Sequence, residues 1–174
     1  MGTTANVLVG VATVTITTTA AKSGGLKEAA VDTITGFYTV DGVTMTVSSS
    51  FADIKVEENV GTVIRRLTDQ EVKATFTFAE GTLNNLVAAI PGSAISGAVV
   101  TIGGGYSTDP LLQEFKLDVA GLNPAGTART INIPKCNPTG EVGIPYKKGE
   151  VSVIPVTFSA LVADTGIFAT ITDA

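Results

Sequence analysis

The 174-residue chain contains no histidine and a single cysteine, Cys136. Histidine is the most frequent general base and metal ligand in proteins, so its absence excludes Ser-His-Asp and Cys-His catalysis. One cysteine cannot form an internal disulfide or a zinc-thiolate cluster, and apart from Lys135 no neighbour in the sequence marks it as an activated nucleophile. The sequence therefore predicts a protein with no enzymatic activity, no cofactor and no bound metal, in which Cys136 is an inert thiol near a turn.

Tryptophan is also absent, and the three tyrosines, Tyr38, Tyr106 and Tyr146, lie in separate segments. A carbohydrate-binding or adhesion module needs exposed aromatic platforms, so that class is only weakly supported. Basic residues number 11 against 16 acidic ones, which gives a net charge of -5. Such a chain lacks the basic surface that neutralises many phosphates at once, so tight binding of DNA or RNA is not expected.

Long apolar segments are missing too. No stretch of 18 or more apolar residues occurs, which predicts that no helix spans a membrane. The apolar stretch near the N-terminus is interrupted by Gly10 and by threonines, and no basic residue precedes it, which argues against a secretory signal. We expect a protein that is made and used in soluble form.

Threonine and valine dominate what is present, and β-branched residues favour strands over helices. Residues 72–78 (VKATFTF) alternate between apolar and polar, which predicts a strand with one buried face. Further strands are predicted at about 7–18, 34–40, 43–50, 52–57, 62–67, 97–102, 113–119, 128–133 and 151–160. Asp41-Gly42 has the composition of a tight hairpin turn, and residues 137–140 that of a turn leading out of a strand. Many short strands favour a sandwich or barrel.

Residues 82–90 have helical spacing instead. Aliphatic side chains recur there at intervals of three and four, at Leu83, Leu86, Val87 and Ile90. Thr82 is a suitable N-cap and Pro91-Gly92 ends the segment, which predicts a short amphipathic helix whose apolar stripe covers the sheet. No shift in composition marks a second domain, so we expect one domain over residues 1–174, with residues 1–30 as a possible N-terminal arm.

The acidic segment 57–61 separates two strand-like runs and contains few residues able to pack. We predict that residues 51–63 form a hairpin that projects from the body of the domain. Its apolar flanks, among them Phe51, Ile54 and Val63, cannot be buried by the hairpin alone, which indicates a partner surface.

Segment 41–92 (DGVTMTVSSSFADIKVEENVGTVIRRLTDQEVKATFTFAEGTLNNLVAAIPG) and the later segment 132–164 resemble the major tail proteins that form the tail tube of long-tailed bacteriophages. In that family a hairpin with an acidic tip is followed by a basic pair, a turn with an acidic residue, an alternating strand and a leucine-rich helix. The closing strand around residues 154–158 is similar to the family's last long strand. The resemblance covers about two thirds of the chain, residues 37–92 and 128–164, and leaves the first thirty residues and the loop 103–106 without a counterpart.

The resemblance implies an all-β fold with one short α-helix, a tail-tube-type β-sandwich or barrel whose sheets join between subunits into a continuous inner barrel. It also implies a likeness in shape to type VI secretion tube proteins. Such subunits form hexameric rings that stack into a tube, through which a tape-measure protein and later the genome pass. The protein would be a virion component assembled in the host cytoplasm, with tail terminator and baseplate or tip proteins as further partners and DNA only in transit.

Under this resemblance the projecting hairpin supplies the contact between rings and subunits. The residues expected at that contact are Phe51, Asp53, Ile54, Val56, Glu57, Glu58, Asn59, Val60, Arg65 and Arg66. Glu57 and Glu58 would meet Arg65, Arg66 or Lys73 of a neighbouring subunit and set the register, while apolar residues supply the affinity. A channel that conducts DNA needs a neutral or weakly acidic wall. The residues expected to face the channel are Thr44, Thr46, Ser48, Ser50, Lys73, Thr75 and Thr77.

Two other functions stay open on the sequence alone. One is another virion component of related β architecture, such as a head decoration or tail-terminator protein. The other is the secreted carbohydrate-binding or adhesion module. The assembled form distinguishes them, because a tube subunit forms open-ended tubes or rings with a central hole.

Overall fold

The computed structural model describes residues 12–18, 34–35, 39–55, 61–103, 114–144, 146 and 153–174. The strands are β1 (Thr13–Thr18), β2 (Ile34–Thr35), β3 (Thr39–Lys55), β4 (Thr62–Phe78), β5 (Ser93–Ser96), β6 (Val99–Ile102), β7 (Phe115–Leu122), β8 (Ala128–Thr139), β9 (Ile154–Ala160) and β10 (Thr170–Asp173). The helix, α1, spans Leu83–Ala89. The predicted all-β class with one short α-helix is confirmed. Most of the predicted N-terminal arm lies outside the described residues, as do Val56, Glu57, Glu58, Asn59 and Val60.

Eight of these strands form one antiparallel sheet in the order β2-β1-β7-β8-β9-β4-β3. The eighth, β10, pairs only with β8, on the edge that β8 also offers to β9. Strands β5 and β6 form a separate two-stranded sheet. Within the described part of the chain the large sheet is open, because β2 and β3 end its order without pairing to each other. The described strands of one chain therefore do not form a closed barrel.

The hydrophobic core lies on one side of the large sheet. The alternation predicted for residues 72–78 is confirmed, since Val72, Ala74, Phe76 and Phe78 are all buried. The Phe76 ring stacks on Phe158 of β9 at 5.7 Å between centroids, and Phe115 of β7 meets Phe158 edge-on at 5.9 Å. These aromatic contacts join three strands that are distant in sequence and fix the register of the sheet.

Two predicted turns are wrong. Asp41 and Gly42 lie inside β3, where Gly42 has a φ of 74° and the pairing with β4 shifts between Thr39 and Val43. A glycine with positive φ in an antiparallel strand produces a bulge that increases local twist, so the dipeptide bends the strand without reversing it. Residues 137–139 likewise belong to β8, which ends only before Gly140. Strands β5 and β10 were not predicted, because four residues are too few to establish an alternating pattern.

Helix α1 forms where the spacing predicts it. Thr82 is the N-cap, and its Oγ1 accepts a hydrogen bond from the Asn85 backbone amide at 3.3 Å. The expected packing is wrong in part, because the fully buried helical residues are Asn85, Ala88 and Ala89, whereas Leu83 remains exposed. Asn85 is accommodated because its Nδ2 donates to the Glu80 carbonyl oxygen at 2.8 Å. The helix packs against β5, β6 and β9.

Candidate assembly surfaces

Strands β3 and β4 form a long hairpin, each strand having 17 residues. Only its proximal part lies beside β9, which pairs with β4 from Phe78 to Lys73. Beyond that point β4 keeps β3 as its single strand partner among the described strands. We call residues 47–55 and 61–70 the distal hairpin. All of its described residues are exposed except Gln70, which is half-buried.

Six large apolar side chains of the distal hairpin are roughly half exposed. They are Val47, Phe51, Ile54, Val63, Ile64 and Leu67. The sequence indicated Phe51, Ile54 and Val63 as unburied flanks of the hairpin. Val47, Ile64 and Leu67 were missed, because a β-branched or leucine residue in an alternating run is normally assigned to the core. Their exposure follows from where β9 ends: β9 pairs with β4 only as far as Lys73, so the side chains further along the hairpin have no neighbouring strand of β9 beside them.

The apolar side chains occupy both faces of the distal hairpin. Phe51 pairs with Leu67, and Ile54 pairs with Ile64. Cross-strand partners share a face, whereas residues three apart in a strand point to opposite faces. The pairing shifts lie between Ser50 and Phe51 and between Ile54 and Lys55, so none separates the two pairs. Phe51 and Leu67 therefore continue the core side of the sheet, and Ile54 and Ile64 continue the opposite side.

Asp53 and Arg65 form an ion pair on the same face as Phe51. The Arg65 Nε and Nη2 donate to the two Asp53 carboxylate oxygens at 2.7 and 3.2 Å, and Thr62 Oγ1 donates to Oδ2 at 3.3 Å. Hydrogen bonding from Arg65 lowers the pKa of Asp53, and the reciprocal bond raises the pKa of Arg65. Arg65 Cζ also lies 6.0 Å from the Phe51 ring centroid.

The basic residues predicted to contact a neighbouring subunit thus differ in whether they already have an acidic partner within the chain. Arg65 is bound to Asp53 within the chain, and Lys73 Nζ lies 2.8 Å from Glu71 Oε1. Arg66 pairs in register with Ala52, on the face opposite to Arg65. Within the described residues, Arg66 therefore lies on the same side of the sheet as the Ile54–Ile64 pair.

Up to Ser50 and Asp69, the side of the large sheet opposite the core is largely polar. Arg66 and the Ile54–Ile64 pair lie further along the same side and are not counted with it. We call the exposed and half-buried polar side chains of this part the polar wall: they are Thr13, Thr15, Thr17, Thr44, Thr46, Ser48, Ser50, Asp69, Glu71, Lys73, Thr75, Thr77, Lys116, Asp118, Thr130, Asn132, Thr139, Thr157 and Ser159. Cross-strand pairing places Thr44 opposite Thr75 and Thr46 opposite Lys73, so the two rows predicted from the sequence share this surface. The threonines of β1 and β9 extend it across the sheet.

Hydrogen bonds within the polar wall join neighbouring strands, and its ion pairs lie along single strands. The hydroxyl oxygens of Thr75 and Thr157 lie 3.3 Å apart, and Asn132 Nδ2 donates to Asp118 Oδ1. Each lysine of the wall has an acidic neighbour, since Lys116 Nζ lies 2.8 Å from Asp118 Oδ2 and Lys73 is paired with Glu71. The wall is therefore hydroxyl-rich, with its positive charges compensated.

The outer edge of β3 is unpaired along the described strand, and so is the outer edge of β10. Unpaired edges present backbone amide and carbonyl groups that can bind another strand. Strand β2, at the opposite end of the sheet, covers only Thr15 and Ile16 of β1. The described sheet thus has open edges at both ends.

Cys136 is a core residue of β8 and does not lie near a turn. Its thiol is fully buried and donates to the Phe115 carbonyl oxygen at 3.2 Å. Burial raises its pKa to about 12, which disfavours the nucleophilic thiolate.

Across the described ranges, no cluster of three or more Cys, Asp or Glu side chains is arranged to hold a metal ion. No helix in those ranges is long and apolar enough to cross a membrane.

No protein-family model matches the chain, and no curated protein matches it in sequence. A chain of the PVC sheath-tube complex of an extracellular contractile injection system, in the extended state, has a similar fold, with a TM-score of 0.51 at 11% identity. That alignment covers 92% of this chain and 88% of the other. A chain of the anti-feeding prophage cap, the tube terminating cap, aligns over the same shares with a TM-score of 0.45 at 14% identity. At such low identity the first likeness is one of fold alone.

Proposed function

We propose that this chain is a non-enzymatic structural subunit that assembles with copies of itself into stacked hexameric rings and so forms the tail tube of a long-tailed bacteriophage. The observation that carries the proposal is the open, one-sided sheet: a core on one face, the polar wall on the other, an unpaired β3 edge and a hairpin with unburied apolar side chains. A chain that functioned alone would leave these edges and side chains exposed to aggregation.

The polar wall is the surface suited to line the channel. Joining β3 of one copy to the open end of the next copy's sheet removes both edges and closes a barrel from several open sheets. The lining then consists mainly of short hydroxylated side chains, with Lys73 and Lys116 held by acidic neighbours. A polyanion passing such a wall meets no uncompensated lysine there that would retain it through counterion release.

The distal hairpin is the element suited to join rings. Individual exposed ion pairs contribute only about 0 to 1 kcal/mol, so the affinity must come from burying apolar side chains and pairing backbone groups. In this role the tube conducts a tape-measure protein and then DNA, and it is closed by tail-terminator and baseplate or tip proteins. The subunit would be located in the virion.

Electron microscopy of the purified protein in negative stain tests the proposal. We expect open-ended tubes or rings with a central hole, either spontaneously at high concentration or after addition of a tail-initiation complex as seed. Protein that remains monomeric under both conditions contradicts it. Single caps on tubes, or subunits bound to closed shells, would instead identify the alternative, a tail-terminator or head decoration protein.

A further inference from the structure

Strand β10 continues the position of β9 beside β8. Both strands pair with the same edge of β8, β9 from Thr139 to Cys136 and β10 from Asn132 to Arg129. The other edge of β9 is occupied by β4, whereas the corresponding edge of β10 has no partner among the described strands. The distal part of β4 is therefore next in order beside β10 within the same chain, yet the two edges do not pair. We call the unpaired interval between them the fork.

The pairing of β3 with β4 gives the sheet row of each residue on one side of the fork. The row after the last β4–β9 pair contains Val72, which pairs with Val47 of β3. Four rows further along β3, Phe51 pairs with Leu67. The rows are counted along β3 because β4 has one extra residue, Thr68, where the pairing shifts.

The pairing of β7 with β8 gives the rows on the other side of the fork. In the same starting row, the last residue of β9 pairs with Cys136, which pairs with Phe115 of β7. Four rows further along β7, Val119 pairs with Ile131, and Ile131 pairs with Ile171 of β10. The rows are counted along β7 because β8 has one extra residue where its pairing with β7 shifts.

The apolar side chains on the two sides of the fork match in position and exposure. Leu67 and Ile171 fall in the same row and are 54% and 56% exposed. Both lie on the core side of the sheet, Leu67 with Phe51 and Ile171 with Ile131, which packs against the core. Pairing across the fork would bury each of these side chains against the other.

The charged side chains on the two sides match as well. Two rows further towards the tip of the hairpin, Arg65 falls opposite Asp173. Arg65 is paired with Asp53 on β3, and Asp173 is paired with Arg129 on β8. Charges would therefore alternate in sign across all four strands. Opposite charges that face each other directly stabilise a strand pair, whereas like charges destabilise it.

We propose that in the free subunit the distal hairpin closes against β10 of the same chain, with Leu67 opposite Ile171 and Arg65 opposite Asp173, and that it must open before it can join another copy. The described arrangement is the open one. The bulge at Thr68 lies in the distal hairpin where the strands bend, and it is the position suited to the movement.

The consequence of closure is an inhibition of assembly. A subunit whose competent form is only a fraction of the population has its apparent affinity reduced by that fraction. Closure would thus hold free subunits apart until a growing tube captures the open form. The strand pairing itself does not depend on self-assembly, whereas this inhibitory role rests on the function proposed above.

Engineered disulfides test the closed arrangement. The double variant Leu67→Cys/Ile171→Cys should form a disulfide within one chain in dilute monomer, because directly opposed residues of paired strands have Cα atoms about 4.5 to 5.5 Å apart, within the range that a disulfide bridges. The matched control is Arg66→Cys/Ile171→Cys, whose thiols would lie on opposite faces and should react at least about tenfold more slowly. Electrophoresis without reductant measures both rates. The native Cys136 thiol is buried and does not compete.

Equal rates in the two variants overturn the proposal, and so do bridges that form only between chains, which would assign the β10 edge to a neighbouring copy. Denaturant unfolding under reducing conditions verifies that the variants fold. If one does not fold, the nuclear Overhauser effect between the methyl groups of Leu67 and Ile171 in dilute wild-type protein decides the question. Its presence supports closure and its absence contradicts it.

Assembly of the bridged protein tests the inhibitory role. Oxidised Leu67→Cys/Ile171→Cys should not sediment as tubes at a concentration at which its reduced form does. Tubes formed equally well by both forms overturn the inhibition. A wild type that never assembles contradicts the proposed function, while the disulfide within one chain still decides whether the hairpin closes.

Discussion

Arg65 holds both carboxylate oxygens of Asp53 across the distal hairpin, and its guanidinium lies beside the Phe51 ring. The pair connects β3 to β4 in a region that receives no support from β9. Since it is solvent-exposed, its contribution to global stability is small. Its structural effect is local, because it fixes two side chains on the face that presents Phe51 and Leu67.

The first prediction concerns the titration of Asp53. Its pKa lies below the ordinary value of 3.8 because Arg65 donates to the ionised form. The stabilisation is thus fully present at neutral pH and is lost only as the pH falls through the lowered pKa. Carboxyl chemical shifts measured by NMR should show this lowered value, and Arg65→Gln should return it towards 3.8. An unchanged titration in Arg65→Gln would show that the pair does not form in solution.

The second prediction compares two phenylalanines. Phe158 is fully buried, whereas Phe51 is 56% exposed. Phe158→Ala should lower the free energy of unfolding by about 3–5 kcal/mol, because it removes a ring packed against Phe76 and Phe115. Phe51→Ala should change it by no more than about 0.5 kcal/mol but should weaken assembly. Urea unfolding of dilute monomer measures the first effect, and sedimentation of concentrated protein measures the second. A large loss of monomer stability in Phe51→Ala contradicts its assignment to a surface for partners.

The fold class could be predicted because residues 72–78 alternate strictly between apolar and polar. The burial of Val72, Ala74, Phe76 and Phe78 on one face of β4 follows from that alternation. The bulge at Gly42 could not be predicted from the sequence, since a glycine after an aspartate is equally compatible with a hairpin turn and with a positive φ inside a strand. Only the pairing partner on β4 decides between them. That partner is distant in sequence.

The candidate surfaces could be predicted only in part, because the sequence shows which residues are polar but not which strands lie side by side. Local composition identified Thr44, Thr46, Thr75 and Thr77 as two polar rows, but their union into one wall depends on the β3–β4 register. Threonines of β1 and β9 were missed, because their membership of the wall depends on pairings with β7 and β4. The exposure of Leu67 and Ile64 likewise depends on where β9 ends. Such information resides in long-range pairing and not in local pattern.

The third prediction concerns Cys136. A thiol with a pKa of about 12 contains roughly a thousandfold less thiolate at pH 8 than one at the ordinary 9.0, and this thiol is also inaccessible. Folded protein should therefore not react with a thiol reagent at pH 8, and denaturant should restore the reaction. Because the unfolded thiol ionises near pH 9 and the native one does not, stability should fall as the pH rises above that value. Cys136→Ala should show a smaller decrease over the same range, and an equal decrease excludes the thiol as its cause.

The fourth prediction places a positive charge on the polar wall. Thr75 is an exposed wall residue between Thr44 of β3 and Thr157 of β9, so Thr75→Lys should leave the fold intact but introduce an uncompensated cation at each copy of the position. If the wall lines the channel, the tubes should retain a fluorescent DNA oligonucleotide on sedimentation, and retention should decrease steeply with added salt, because bound phosphates release counterions. Wild-type tubes should retain little. Ser96→Lys, on β5 and outside the wall, introduces the same charge elsewhere and serves as the control. Equal retention by the two variants would mean that DNA binds the outer surface, and the polar wall would then lose its assignment to the channel.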